Sequence, residues 1–143
     1  MTRVAIAADH GGYNLKNELI GKLTEAGYEV IDHGVNSSDS VDYPDYARLV
    51  TQSVLDGEAD RGVLVCGTGQ GMAMSANKVR GIRAAVVSDP FSAEMAMAHN
   101  DARVLCLGQR ILGGSLAWLC LETWLKSEFE GGRHARRVGK IAG

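Results

Sequence analysis

Residues 66–71 read Cys-Gly-Thr-Gly-Gln-Gly, a thiol followed by three alternating glycines. The apolar run at 62–66 before them has the character of a buried strand. The Met-Ala-Met-Ser-Ala run at 72–76 after them is helix-forming. A strand, a glycine-rich turn and a helix start place backbone N–H groups and a helix N-terminus around one point, an arrangement that attracts an anion. Cys66 faces that point from the strand's last position. The setting favours its thiolate, the form that acts as base or nucleophile. The bland alternative is a small buried core residue. Cys106 and Cys120 lie in an apolar strand and on an apolar helix face, and both read as structural.

Other chemistries fit the loop less well. No Gly-Lys-Ser/Thr follows, so it is not a P-loop. The spacing Gly67-x-Gly69-x-Gly71 is one residue short of the dinucleotide fingerprint. Asp89 stands where a ribose-binding acid would be expected, yet it precedes Pro90 and serves equally as a helix cap. A cysteine-phosphatase loop needs an arginine where Met72 stands. Nucleotide binding therefore stays open as a weaker reading.

Three further groups could join Cys66. Asp9-His10 closes the first apolar run, and the two side chains either orient one another or make a polar turn. His99-Asn100-Asp101 ends a helix. It is either a plain cap with Asn100 left-handed or the seat of an acid, because histidine titrates near neutrality and the helix dipole favours its charged form. The tail from Gly131 carries Arg133, His134, Arg136 and Arg137. It is a solvated end or a phosphate clamp: arginine pairs with phosphate oxygens, Arg133 and Arg137 would share a helix face, and Arg110 could join them. His33 has no evident partner and reads as a surface residue. The histidines lack metal-ligand spacing such as His-x-x-x-His, so no metal is expected.

The elements that must position these groups alternate along the chain. Strands are expected at residues 3–8, 28–32, 62–66, 82–87 and 104–107. Helices are expected from Leu15, from Pro44 to Gly57, after the glycine loop, from Pro90, and over 116–125, with Gly131-Gly132 breaking the last. Strands that are apolar throughout are covered on both faces. The expected fold is a three-layer α/β/α sandwich around a five-stranded parallel, Rossmann-like sheet. Ligands bind such a sheet beyond the carboxyl ends of its strands, where the strand order reverses. If strands one and three are neighbours, Asp9-His10 and Cys66-Thr68 line one crevice.

Composition sets outer bounds. The 143 residues suit one domain spanning 1–143. The chain is 45% hydrophobic and 22% charged with net charge −2, unlike a dedicated nucleic-acid binder. No run has the length of a membrane helix. The early Asp9 argues against a signal peptide. Three widely spaced cysteines without a Cys-x-x-Cys pair suggest reduced thiols and a cytoplasmic setting.

Taken together, the pieces Ala8-Asp9-His10-Gly11-Gly12, Asp42-Tyr43-Pro44, Cys66-Gly67-Thr68-Gly69, Ala76-Asn77-Lys78, Gly81-Ile82-Arg83-Ala84, His99-Asn100-Asp101 and Glu130-Gly131-Gly132-Arg133-His134 resemble the B-type ribose-5-phosphate isomerases, relatives of galactose-6-phosphate isomerase subunits. The resemblance runs end to end without gaps. That family divides by its base, a cysteine at the strand end or a glutamate further on. With Cys66 present and Ser75 in the next helix, this chain resembles the cysteine type. The resemblance implies an aldose–ketose isomerase without metal or cofactor, with ribose 5-phosphate as first-choice substrate. Cys66 would move a proton from C2 to C1 through an enediolate. His99 would open the sugar ring, with Thr68 and Asp9 nearby. The N–H groups of Gly67, Thr68, Gly69, Gln70 and Gly71 would stabilise the enediolate. Asp9, His10, Tyr43 and Asn100 would hold the sugar, and Arg110, Arg133 and Arg137 its phosphate. The resemblance also implies a homodimer, or a dimer of dimers, with sites at the interface and the tail at 131–143 packing on the partner. Another sugar phosphate (a tetrose or hexose phosphate) and a non-catalytic nucleotide- or sugar-phosphate-binding module remain as alternatives.

Overall fold

The computed structural model describes residues 1–141. The first strand, β1, is Arg3–Ala8, a run of small and branched apolar residues buried from Val4 onward. β2 (Glu29–Asp32), β3 (Arg61–Cys66), β4 (Ala84–Val86) and β5 (Val104–Gly108) join it in one sheet, ordered β2-β1-β3-β5-β4, with every pairing parallel. Parallel neighbours need crossovers, and four helices supply them: α1 (Tyr13–Glu25), α2 (Tyr43–Leu55), α3 (Gln70–Asn77) and α4 (Pro90–Ala98), while α5 (Gly114–Lys126) follows the last strand. A short α6, Arg133–Val138, follows.

Side chains alternate across a strand, so each central strand feeds two cores. Val4, Ile6, Val63, Val65, Leu105 and Leu107 pack against α1, α4 and α5 around Leu19, Met97, Leu121 and Trp124. Ala5, Ala7, Leu64 and Cys106 pack against α2 and α3 around Val50, Met72 and Ala76. Both faces being covered explains the unbroken apolar runs and bears out the α/β/α sandwich. The edges depart from the pattern: Glu29 and Asp32 of β2 and Val86 of β4 are exposed.

Several local expectations need correction. The fourth strand is Ala84–Val86, shorter than residues 82–87; on its outer edge the Asn77 amide takes up both the N–H (2.8 Å) and the carbonyl (2.9 Å) of Ala84. The left-handed residue after α4 is Asp101, φ 47°, and not Asn100. Arg83 braces it, donating to the Asp101 carbonyl at 3.0 Å and its carboxylate at 3.2 Å. His33 is half-buried, with its Nε2 2.7 Å from the Ser53 hydroxyl, and so has a partner. α5 ends at Lys126, ahead of Gly131-Gly132. Through Ile141 the tail is ordered, and residues 142–143 lie outside the described part. Among the described residues no helix is long and apolar enough to cross a membrane.

Candidate active site

Cys66 ends β3 and is buried, and its Sγ accepts the N–H of Gly69 at 3.1 Å. That contact requires a tight reversal, which Gly69 makes at φ 82° as the N-cap of α3. The loop is held from the next strand. Gln109 N–H donates to the Cys66 carbonyl at 2.9 Å and Arg110 N–H to the Gly67 carbonyl at 3.0 Å. Gly108 lies so close to Thr68 that a Cβ would stand 2.7 Å from its backbone. Because β5 lies next to β3, the Arg110 guanidinium comes over Gly67, 3.6 Å from where a Cβ there would be.

The end of β1 meets the same loop. Asp9 N–H donates to the Val65 carbonyl at 3.2 Å, and its buried carboxylate accepts the Gly11 N–H at 2.9 Å. Gly11 faces Gly67 across a gap that a Cβ would narrow to 3.2 Å. The expected neighbourhood of strands one and three is therefore borne out, with Ala8 opposite Val65. His10 Nδ1 accepts the Val41 N–H at 3.2 Å. With Asp9, Asp42, Tyr43 and Arg48 it lines a cavity of about 630 Å³. The Tyr43 ring lies against Gly71, 2.8 Å from a Cβ built there. Asp9, His10, Tyr43, Cys66, the glycine loop and Arg110 thus converge on the carboxyl end of the sheet. Two loop N–H groups are used within the loop: Gly69 on the Cys66 sulfur, and Gln70 on the Thr68 hydroxyl at 3.3 Å.

The remaining predicted residues gather at the other end. His99 caps α4 as it returns to the amino edge of the sheet. There Arg83, just before β4, donates to the Asn100 carbonyl at 2.9 Å. From Val104 to Gly108 β5 rises by about 13 Å, at roughly 3.3 Å per residue, so one chain keeps His99 and Asn100 away from Cys66. Exposed Arg133 and Arg137 share this end on α6, apart from Arg110. The 99–101 segment and the basic tail meet where Glu130 N–H donates to the Ala98 carbonyl at 3.0 Å.

The site sorts the three cysteines. Cys106 is fully buried, and burial drives its thiol far up the scale, beyond use as a base. Burial raises Cys120 as well. Only Cys66 has its sulfur on a loop N–H.

Sequence reasoning overlooked roles for Arg48, Glu130 and His134. Nothing in their local spacing marks Arg48. Glu130 and His134 are one helical turn apart, but their meaning depends on His99, 31 positions upstream. One ligand atom from each of His99, Glu130 and His134 lies within 4.8 Å of the others, a set no histidine spacing predicted. As arranged, the two imidazoles stack 4.0 Å apart at 9°, so their in-plane lone pairs do not meet at one ion.

The model of the ribose/galactose isomerases matches residues 4–141. The chain belongs to this family. It is 48% identical over 141 residues to ribose-5-phosphate isomerase B of Escherichia coli, covering 99% of this chain and 95% of that one. It is 42% identical over 142 residues to D-erythrulose-4-phosphate isomerase of Pectobacterium atrosepticum, covering 99% and 93%. The solved ribose-5-phosphate isomerase B of Clostridium thermocellum superposes with a TM-score of 0.97 at 54% identity, covering 98% of this chain and 95% of that one. Family membership makes this chain an isomerase and accounts for a site without any nucleotide fingerprint.

Proposed function

We propose that this isomerase interconverts ribose 5-phosphate and ribulose 5-phosphate in the cytoplasm, as a homodimer, with Cys66 as base and without metal or cofactor. The observation that carries the reading is the Gly69 N–H on the Cys66 sulfur at 3.1 Å, at the mouth of a glycine loop. That contact fixes the sulfur at the loop, where it can meet the acidic C–H of a bound sugar. The thiolate takes the proton from C2, and the C1 carbonyl becomes an enediolate oxygen. The Cys66 thiol, whose proton exchanges with water while the enediolate lasts, returns a proton to C1 as the O2 proton passes to O1. Nothing is oxidised overall, so no redox partner is required. The sugar lies along Asp9, His10 and Tyr43, with Arg110 toward the phosphate. His99, Asn100, Arg133 and Arg137 of a second copy complete the site, a role supported by their distance from Cys66 within one chain.

The test is conversion of ribose 5-phosphate by the purified protein with a chelator present. Conversion is expected, and Cys66→Ala should lower it by about 10³-fold or more while the fold survives. No conversion, or wild-type turnover in Cys66→Ala, would refute the reading. The relative named for erythrulose 4-phosphate favours a tetrose phosphate as second substrate class. Solvent-deuterium exchange into a tetrose, but not a pentose, phosphate would select it.

A further inference from the structure

We propose that Glu130 and His134 are positioning residues for His99, holding its imidazole as the proton donor that opens the sugar ring; this rests on the isomerase reading above.

His99 on its own is poorly suited to the task. It stands at a helix end with about a third of its side chain exposed, where an imidazole turns freely. Three contacts remove that freedom. The His134 ring lies flat against it, centroids 4.0 Å apart and planes within 9°. His134 is itself buried and so provides a fixed surface. Glu130 Oε1 lies 3.6 Å from His99 Nε2 and 3.5 Å from His134 Nε2, within ion-pairing reach of both. The Glu130 backbone is tied to Ala98, the residue before His99.

The two rings differ in their settings. The Glu130 carboxylate faces the Nε2 atoms of both rings. Two stacked imidazoles do not readily carry charge together, and burial, followed by the charge of His99, pulls His134 toward its neutral form. His99 is the outer of the two rings and the one exposed to a ligand. In ring opening the C1–ring-oxygen bond breaks and its electron pair goes to the ring oxygen. That oxygen takes the His99 proton, and the anomeric hydroxyl gives its own to water as the aldehyde forms, so the net proton count is unchanged once water reprotonates His99.

This assignment separates two halves of the reaction. Ribose 5-phosphate enters as a ring. Ribulose 5-phosphate cannot close one, because its 5-oxygen is esterified. In Glu130→Gln and His134→Ala, kcat/KM for ribose 5-phosphate should fall about tenfold, part of the 10²–10⁴ that a placed acid contributes. Exchange of the ribulose 5-phosphate C1 proton with deuterated water should stay within twofold of wild type. His134→Phe keeps a flat ring under His99 and should recover much of the loss. Equal losses on both substrates, or none on either, would overturn the proposal. Exposed Glu130 makes Glu130→Gln safe for folding even if the His134 variants are not. A wild-type protein without exchange would instead refute the isomerase reading, and this proposal with it.

Discussion

Mixing two inactive chains tests whether the site is shared. Cys66→Ala and His99→Asn should each be inactive by themselves. Cys66 closes β3 at the carboxyl edge, and His99 lies beyond the amino edge, with about 13 Å of β5 between the two levels. If each site takes Cys66 from one chain and His99 from the other, random pairing makes about half of the dimers mixed. A mixed dimer holds one doubly damaged site and one intact site. Activity should then recover to about a quarter of wild type (half the dimers, half their sites), by the statistics of a two-fold interface. A dimer of dimers gives the same fraction. The assay is co-refolding of the two variants in equal amounts, with isomerisation followed against a wild-type sample refolded alongside. Activity no higher than that of either variant alone would refute the argument, because sites completed within one chain cannot complement.

Two further outcomes follow from packing. Gly12→Ala should destabilise the fold by about 3 kcal/mol, the upper end for overpacking, since its Cβ would lie 2.4 Å from the Val65 carbonyl oxygen. Thermal melting should show a Tm lower by roughly 10 °C, and a drop under 2 °C would show that the strand yields. Lys16 is buried, with its ammonium 3.0 and 3.1 Å from the two oxygens of Asp32, whose side chain is 37% exposed. Asp32→Asn strands that charge and should cost about 2 kcal/mol after allowing for the wet carboxylate, whereas Lys16→Met should be near neutral. Equal costs in urea unfolding would contradict this.

Much of the arrangement was legible in the chain itself. Apolar runs of strand length, punctuated by glycine and proline, marked the alternation. Asp89 does cap α4, accepting the Ser92 N–H at 2.7 Å. The thiol and glycine loop could be located because strand, turn and helix follow one another without a break. The left-handed residue at Asp101 was missed because its conformation depends on Arg83, 18 positions away. His33 was misjudged for the same reason, its partner Ser53 lying on α2.

The sequence by itself determined what its local order encodes: the α/β alternation, the strand-end cysteine, and the facing of Asp9 toward the loop once β1 and β3 are neighbours. Only the tertiary structure decided that β5 lies between β3 and β4, which brings Arg110 over Gly67. It also decided that His99, Asn100, Arg133 and Arg137 gather at the opposite edge, and that His134 stacks on His99. The physical reason is range. Periodicity and turn chemistry record how each residue meets its near neighbours and the core, whereas strand order and cross-chain stacking follow from how whole surfaces pack, which no single segment carries.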